Sequence, residues 1–469
     1  MAKRDDEMLK MEERWRSFWE QNGTYRYDPT RGRDETFVVD TPPPTASGSL
    51  HIGHVCSYTH TDLMVRYKRM RGFNIFYPMG WDDNGLPTER RVQNVFKVRC
   101  DPSLAYDPDL KLEWGREGDI LAISRSNFIE LCDEVVKEDE KQYQNMFQRI
   151  ALSVDWSHTY ATIDRRCRYV SQWSFLNLID KGEAVLREAP TMWDVDFQTA
   201  VAQAEVEDRD REGTYHRIAF ALEDGGKVVI ATTRPELLPA CIALVAHPDD
   251  GRFKDAIGKT AITPLFGAPV PVMADESADP EKGTGILMVC TFGDAPDVEK
   301  WREMGVPARE VVGRNGRILA APWGQDHWQT IDAELARRHH GKLTGLTINQ
   351  ARKAIVELLD KAGALDEEPG ASPEKVVRPV KFFEKGDRPL EFVVSRQWFI
   401  KVMDKKRQLV EQGRKIQWHP EMFRKRYEDW VEGLNQDWGA SRQRYFGVPI
   451  PVWYAVDDDG NADYDRLLL

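Results

Sequence analysis

Thr36-Phe37-Val38-Val39 is a short apolar run that predicts a buried strand. It passes into Asp40-Thr41-Pro42-Pro43-Pro44-Thr45-Ala46-Ser47-Gly48, a loop of prolines and small residues. Ser49-Leu50-His51-Ile52-Gly53-His54 then opens a helical segment that ends near Gly72. Asn74-Ile75-Phe76-Tyr77 reads as a second strand and leads into Gly80-Trp81-Asp82-Asp83-Asn84-Gly85-Leu86-Pro87. The pattern is strand–helix–strand, with polar groups at both strand ends. In a parallel sheet those ends form the crevice where ligands bind.

Elsewhere the period changes along the chain. Met8, Met11, Trp15, Phe18 and Trp19 fall at helical spacing over residues 5–22, and Gly23 stops that helix. Charged stretches with scattered Ile, Leu, Phe and Met predict helices over about 117–150 and 164–182. From about 191 to 385 the pattern becomes that of strands. Thr214–Leu222 alternates, Glu223-Asp224-Gly225-Gly226 is a turn, and Lys227–Thr233 is the partner strand. Further apolar runs lie at Ala268–Met273 and Gly285–Thr291, and from about Val377 the α/β pattern resumes.

Composition narrows the class. With 30% charged and 41% hydrophobic residues, the 469-residue chain reads as a soluble globular protein of two to four domains. No apolar run approaches 18 residues, so no membrane span is expected. The N-terminus carries no stretch resembling a signal peptide. The six cysteines (56, 100, 132, 167, 241 and 290) form no Cys-x-x-Cys, which fits reduced thiols in the cytoplasm. A net charge of −12 argues against a coat of nucleic acid, although local basic clusters such as Arg424-Lys425-Arg426 leave room for a basic track.

The chemistry follows from placement. A helix N-terminus attracts phosphate. His51 and His54, three residues apart, share a face of the first turn and can donate hydrogen bonds to a triphosphate and to its transition state. Gly53 leaves room for an adenine or ribose on the backbone. Asp82, beyond the next strand, is a carboxylate suited to an ammonium group. Two nearby histidines alone would better suit a surface helix or a stray metal pair. The proline loop, the glycine and the Asp82 loop around them favour a phosphate site.

These residues carry a resemblance. Pro42-Pro43-Pro44-Thr45-Ala46-Ser47-Gly48-Ser49-Leu50-His51-Ile52-Gly53-His54 resembles the signature of the class I aminoacyl-tRNA synthetases. Gly80-Trp81-Asp82 with Gly85-Leu86-Pro87 is similar to the second signature of their large-aliphatic branch, and Asp83-Asn84 with Thr88–Asn94 most resembles its bacterial valine-specific members. The resemblance implies an α/β fold: a Rossmann-like parallel-sheet catalytic domain interrupted by a mostly β editing domain. It divides the chain into a helical extension (1–34), a first catalytic half (35–190), an inserted editing domain (191–385) and an incomplete second half (386–469). It implies ATP with substrate-bound Mg²⁺, valine and tRNA(Val) as partners, no protein metal site, and a cytoplasmic monomer. ATP would meet Thr45, His51, Gly53 and His54, of which His51, Gly53 and His54 are the catalytic set. The amino acid would meet Pro43, Asp82, Trp398, Trp438 and Gln443.

The inserted domain resembles the family's proofreading site in two places, Thr232-Thr233-Arg234-Pro235-Glu236 and Gly283–Asp297. Asp297 would anchor the ammonium of a mischarged threonyl-tRNA, Asp294 would meet the threonine hydroxyl, and Arg234 the tRNA terminus, with Thr232 and Thr233 completing the site. Met288, Cys290, Gly293 and Leu237 stand where valine-specific members commonly have Lys, Thr, His and Thr, so fewer polar groups remain to orient water. Neither Lys-Met-Ser-Lys-Ser nor a helical anticodon-binding domain occurs before Leu469. The resemblance therefore implies the front part of such an enzyme, activating its amino acid weakly by itself. Isoleucine as the substrate, a catalytically incomplete tRNA-binding fragment and a small nucleotidylyltransferase remain open alternatives. P-loop and dinucleotide motifs do not occur.

Overall fold

The computed structural model describes residues 2–45, 51–366, 374–384, 386–458 and 462–469. The Ala46–Leu50 part of the proline loop, with the predicted helix opening at Ser49, lies outside the described residues. The chain forms two compact units, Met1–Gly182 with Arg444–Leu469, and Glu183–Gln443.

The first unit is α/β. Helix α1 (Ala2–Gln21) precedes strand β1 (Thr36–Val38), helix α2 (Ile52–Met70) and strand β2 (Asn74–Phe76). β1 and β2 pair in parallel across the α2 crossover, as the apolar pattern predicts. β1 is less covered than expected: Val38 is 61% exposed. β3 (Gly80–Trp81) is followed by α3 (Leu86–Phe96), and β4 (Val98–Cys100) pairs in parallel with β5 (Leu121–Ile123). That pairing is why α4 runs Arg125–Arg149 instead of starting near 117. The strand takes 121–123, and the Ser124 side chain caps the helix by accepting the Asn127 N–H at 3.2 Å. β6 (Tyr160–Ala161) pairs in parallel with β3, and Asp164 caps α5 (Arg165–Asp180), accepting the Cys167 N–H at 2.7 Å.

Aromatic packing fixes this unit. Trp81 stacks on Phe147 at 6.3 Å between ring centres, and Tyr143 meets both rings edge-on. Buried Glu89 of α3 accepts the backbone N–H groups of Tyr445 and Phe446 at 2.8 and 3.0 Å, tying the C-terminal segment to the helix.

The second unit is β-rich. β7 (Ala184–Asp194) pairs with β8 (Thr199–Ala200). β9 (Val206–Leu222), β10 (Lys227–Thr232), β11 (Cys241–Ala246), β12 (Thr260–Ile262), β13 (Pro269–Ala274) and β14 (Ile286–Cys290) form one sheet in the order β10-β9-β12-β13-β11-β14. Helices α6 (Ala295–Met304), α7 (Ala333–Gly341) and α8 (Ile348–Lys361) follow. β15 (Glu374–Phe383) joins β9 along its outer half, and β16 (Glu391–Ile400) pairs with β7. The predicted hairpin is present: Lys227 faces Ala221 and Thr232 faces His216. The class is thus mixed α/β, parallel pairs in one unit and a largely antiparallel sheet in the other. No helix among the described residues is long and apolar enough to cross a membrane.

Candidate active site

In the first unit, one segment of chain touches both halves of the expected synthetic site. Tyr58 of α2 donates its hydroxyl to the Pro42 carbonyl at 2.5 Å. Two residues on, the Pro44 carbonyl accepts the Asp82 N–H at 2.9 Å, and Thr45 bridges Asp82 in parallel. Helix α2, at Tyr58, and the Asp82 loop therefore both bond to the same run, residues 42–45.

The two histidines interlock at the helix start. His51 is the N-cap, and its Nδ1 accepts the Gly53 N–H at 3.1 Å. His54 reaches back, its Nδ1 accepting the His51 N–H at 3.3 Å. The rings lie 4.1 Å apart. A neutral imidazole that accepts at Nδ1 carries its proton on Nε2. Both rings thus present an Nε2–H donor away from the backbone. Burial first, and the neighbouring His51 second, hold His54 below the usual histidine range, which keeps it neutral at pH 7. A Cβ at Gly53 would come within 2.9 Å of the His51 ring, so the glycine lets that ring fold over the helix start.

Asp82 is half-buried and follows β3, whose partner β6 approaches closely. A Cβ at Gly80 would lie 2.2 Å from the Tyr160 ring, so the glycine leaves room for that ring to lie over β3. Asp82 Oδ1 accepts the Thr162 hydroxyl at 3.1 Å. Its neighbour Asp83 is wholly buried, with no donor on either carboxyl oxygen among the described residues and the Glu140 carboxyl beside it. Burial first, and Glu140 second, push Asp83 up to about 8. Thr162, Asp83 and Glu140 escape a reading of the sequence, since each acts through a partner far along the chain.

The other expected amino-acid contacts lie in the second unit. Trp398 is buried on β16, its backbone N–H bonded to Ser441 Oγ at 3.0 Å. Trp438, which pairs with Ile400, is 54% exposed. Gln443 accepts the Ala200 N–H at 3.1 Å and donates to Gln397 Oε1 at 3.1 Å. Pro43 and Asp82 belong to the first unit and these three to the second.

The five expected proofreading residues gather at the ends of β10 and β14. Thr232 Oγ1 accepts the Arg234 N–H at 3.0 Å, and Thr233 follows, half-buried. Arg234 is held by Glu236 at 3.1 Å, Glu391 at 2.6 Å and the Gly293 carbonyl at 3.2 Å. Asp294 caps α6 by accepting the Asp297 N–H at 3.1 Å. Asp297 Oδ2 accepts the Gly293 N–H at 2.9 Å, and a Cβ at residue 293 would lie 2.4 Å from that oxygen. Burial first, and the Asp294 charge second, raise Asp297 well above the usual carboxylate range. Leu237 and Cys290 are buried and apolar in character, and Met288 packs on the core. Among the described residues no group of three His, Cys, Asp or Glu could hold a metal ion.

Residues 14–465 match the family of class I tRNA synthetases for I, L, M and V. The chain belongs to that family. It is 54% identical to a valine–tRNA ligase of Thermobifida fusca, over 98% of this chain and 52% of that protein. It is 53% identical to the valine–tRNA ligase of Salinispora tropica, over 98% of this chain and 53% of that one. The chain thus spans about half the length of the curated relatives it matches. A LeuRS from Agrobacterium radiobacter K84, solved with tRNA and LeuAMS, superimposes only loosely, with a TM-score of 0.39 at 17% identity over 96% of this chain and 51% of that one.

Proposed function

We propose that this chain carries the amino-acid activation site and the proofreading site of a valine–tRNA ligase acting in the cytoplasm as a monomer. The reading rests on one observation above all: the run of residues 42–45 bonds both to the Asp82 loop and, through Tyr58, to the helix whose start carries the two histidines. The shared name of its relatives supports valine over isoleucine.

ATP places its phosphates at the α2 N-terminus, accompanied by Mg²⁺ held by phosphate oxygens and water. Thr45 adds a hydroxyl beside the phosphates, and Gly53 keeps the backbone open to the nucleotide. The valine carboxylate attacks the α-phosphorus. A carboxyl O–P bond forms, the bond to the bridging oxygen breaks, and pyrophosphate leaves. No protein nucleophile is needed. His51 and His54 act as catalytic donors to the charge developing on the phosphate oxygens. Asp82 holds the ammonium and Pro43, in the same unit, meets the side chain; in the second unit Trp398 and Trp438 offer apolar faces to the amino acid, and Gln443 is bonded to Gln397 on the strand of Trp398. The terminal ribose hydroxyl of tRNA(Val) then attacks the acyl carbonyl; the ester C–O bond forms, the anhydride C–O bond breaks, and AMP leaves with the hydroxyl proton passing to solvent.

An apolar pocket rejects threonine poorly, and valine enzymes facing threonine are the standing illustration of that limit. The proposed remedy is hydrolysis in the module of residues 191–385, built on Thr232, Thr233, Arg234, Asp294 and Asp297. Burial beside Asp294 makes Asp297 hold its proton more tightly than an ordinary carboxylate. It can anchor an ammonium only after losing that proton, so deacylation of threonyl-tRNA(Val) should accelerate as pH rises above the ordinary aspartate range. Asp297→Ala should slow that deacylation at least tenfold and erase the pH dependence, and equal rates would remove Asp297 from the site.

The synthetic reading is tested by calorimetric titration of the chain with valine and ATP. A charge-assisted contact is worth about 1.5–3 kcal/mol, so Asp82→Asn should weaken valine by roughly ten- to a hundredfold and leave ATP unchanged. Undiminished valine binding would overturn it.

A further inference from the structure

We infer that Thr162 is a positioning residue for the amino acid's ammonium group, acting through Asp82. The inference rests on the proposed role of Asp82. A threonine hydroxyl has one hydrogen to give and two lone pairs to receive. At Thr162 all three capacities are committed. The Asp83 N–H reaches Oγ1 at 3.2 Å and the Asn84 Nδ2–H at 2.8 Å, and both groups can only donate. With its lone pairs taken, Oγ1 has one direction left for its own hydrogen: Asp82 Oδ1, at 3.1 Å. The bond's polarity is thereby set by the two incoming donors. A hydroxyl free to rotate could point elsewhere, and this one cannot.

The backbone holds the same geometry from both sides. The Thr162 N–H bonds the Trp81 carbonyl at 2.9 Å, continuing the β3–β6 ladder one step beyond its last pair. On the other flank the Asp82 N–H bonds Pro44. Asp82 is thus clamped between Pro44 and Thr162, with Oδ1 occupied by a neutral donor. No hydrogen bond reaches Oδ2 among the described residues, so that oxygen is the one to meet an incoming cation. A neutral donor on Oδ1 orients the carboxylate without cancelling its charge, as a lysine or arginine there would.

Calorimetric titration of the chain with valine and with 3-methylbutanoate, which is valine without its ammonium, separates positioning from mere structure. Thr162→Val keeps the shape and removes the hydroxyl. Valine should bind about tenfold more weakly, while 3-methylbutanoate is unchanged. Thr162→Ser should bind valine within about twofold of wild type, and thermal melting checks that each variant is folded. Equal weakening of both ligands, or no weakening of either, overturns the inference while leaving Asp82 in its role. A wild-type chain that fails to distinguish valine from 3-methylbutanoate removes the Asp82 reading itself, and the Thr162 role with it.

Discussion

Glu236→Gln is expected to destabilise the second unit by about 3–5 kcal/mol, the range for breaking a buried ion pair by removing one partner. Glu236 has no exposure at all, and it faces two guanidinium groups. Arg352 grips it through two bonds, at 2.9 and 2.7 Å, and Arg234 approaches at 3.1 Å. Burial alone would raise this carboxyl, yet Arg352 and then Arg234 overcome it and leave Glu236 below the usual range. The amide keeps the shape and one acceptor but removes the charge. Arg234 retains Glu391, whereas Arg352, partly exposed, is left facing the buried end of the site. Because the folded-state value is depressed, the carboxylate's contribution is complete above the ordinary glutamate range and is lost as pH falls through the folded value. Wild type should therefore lose stability on acidification more steeply than the variant. The check is the urea midpoint of the second unit's transition at pH 7 and pH 4. A loss under about 1 kcal/mol at pH 7, the worth of a surface pair, would mean that this carboxylate does not balance the buried arginines.

That network shows where the sequence stops being legible. Thr232-Thr233-Arg234-Pro235-Glu236 is visible as a motif, and its apolar surroundings predict a strand ending there. Nothing in it announces that Glu236 meets a residue 116 positions later, or Arg234 one 157 positions later. Local signals fared better. The β1–α2–β2 crossover follows from two apolar runs and a glycine-ended helix, and the hairpin at Glu223–Gly226 from alternation around a glycine turn. The α4 start did not, because Leu121–Ile123 has too few residues to separate strand from helix by period, and its partner Val98–Cys100 lies elsewhere. Trp398 and Trp438 look equivalent as motif residues. Their surroundings differ: Trp398 sits within a four-stranded sheet, and Trp438 on its edge strand, largely open. The histidines were readable as a pair, but their tautomer was not, because it depends on backbone N–H groups that only the folded helix start presents.

Asp83→Asn is the second large effect, and here the variant should be the more stable protein at alkaline pH. Asp83 is sealed from solvent next to the Glu140 carboxyl, with the Asp82 and Asp133 charges also bearing on it. Two carboxyl groups pressed together without other donors hold a proton between them. The folded chain therefore keeps that proton up to about pH 8, whereas the unfolded chain releases it near the ordinary aspartate value of 3.8. Between those limits the folded state binds more protons than the unfolded one, so stability falls as pH rises and levels off above 8. Asparagine supplies an N–H to Glu140 at every pH and cannot ionise. Relative to wild type it should gain on the order of 2–4 kcal/mol between pH 5 and pH 8.5, since each unit of displaced pKa is worth about 1.4 kcal/mol. The same proton has a functional consequence. While Asp83 is neutral, Asp82 is the single negative charge on the loop that faces an ammonium, and Asp83→Asn should leave valine affinity at pH 7 within about twofold of wild type, far inside the factor of ten that 1.4 kcal/mol represents. Stability–pH curves that run parallel for wild type and variant would show that no proton is held there, and the two carboxyl groups would then need another account.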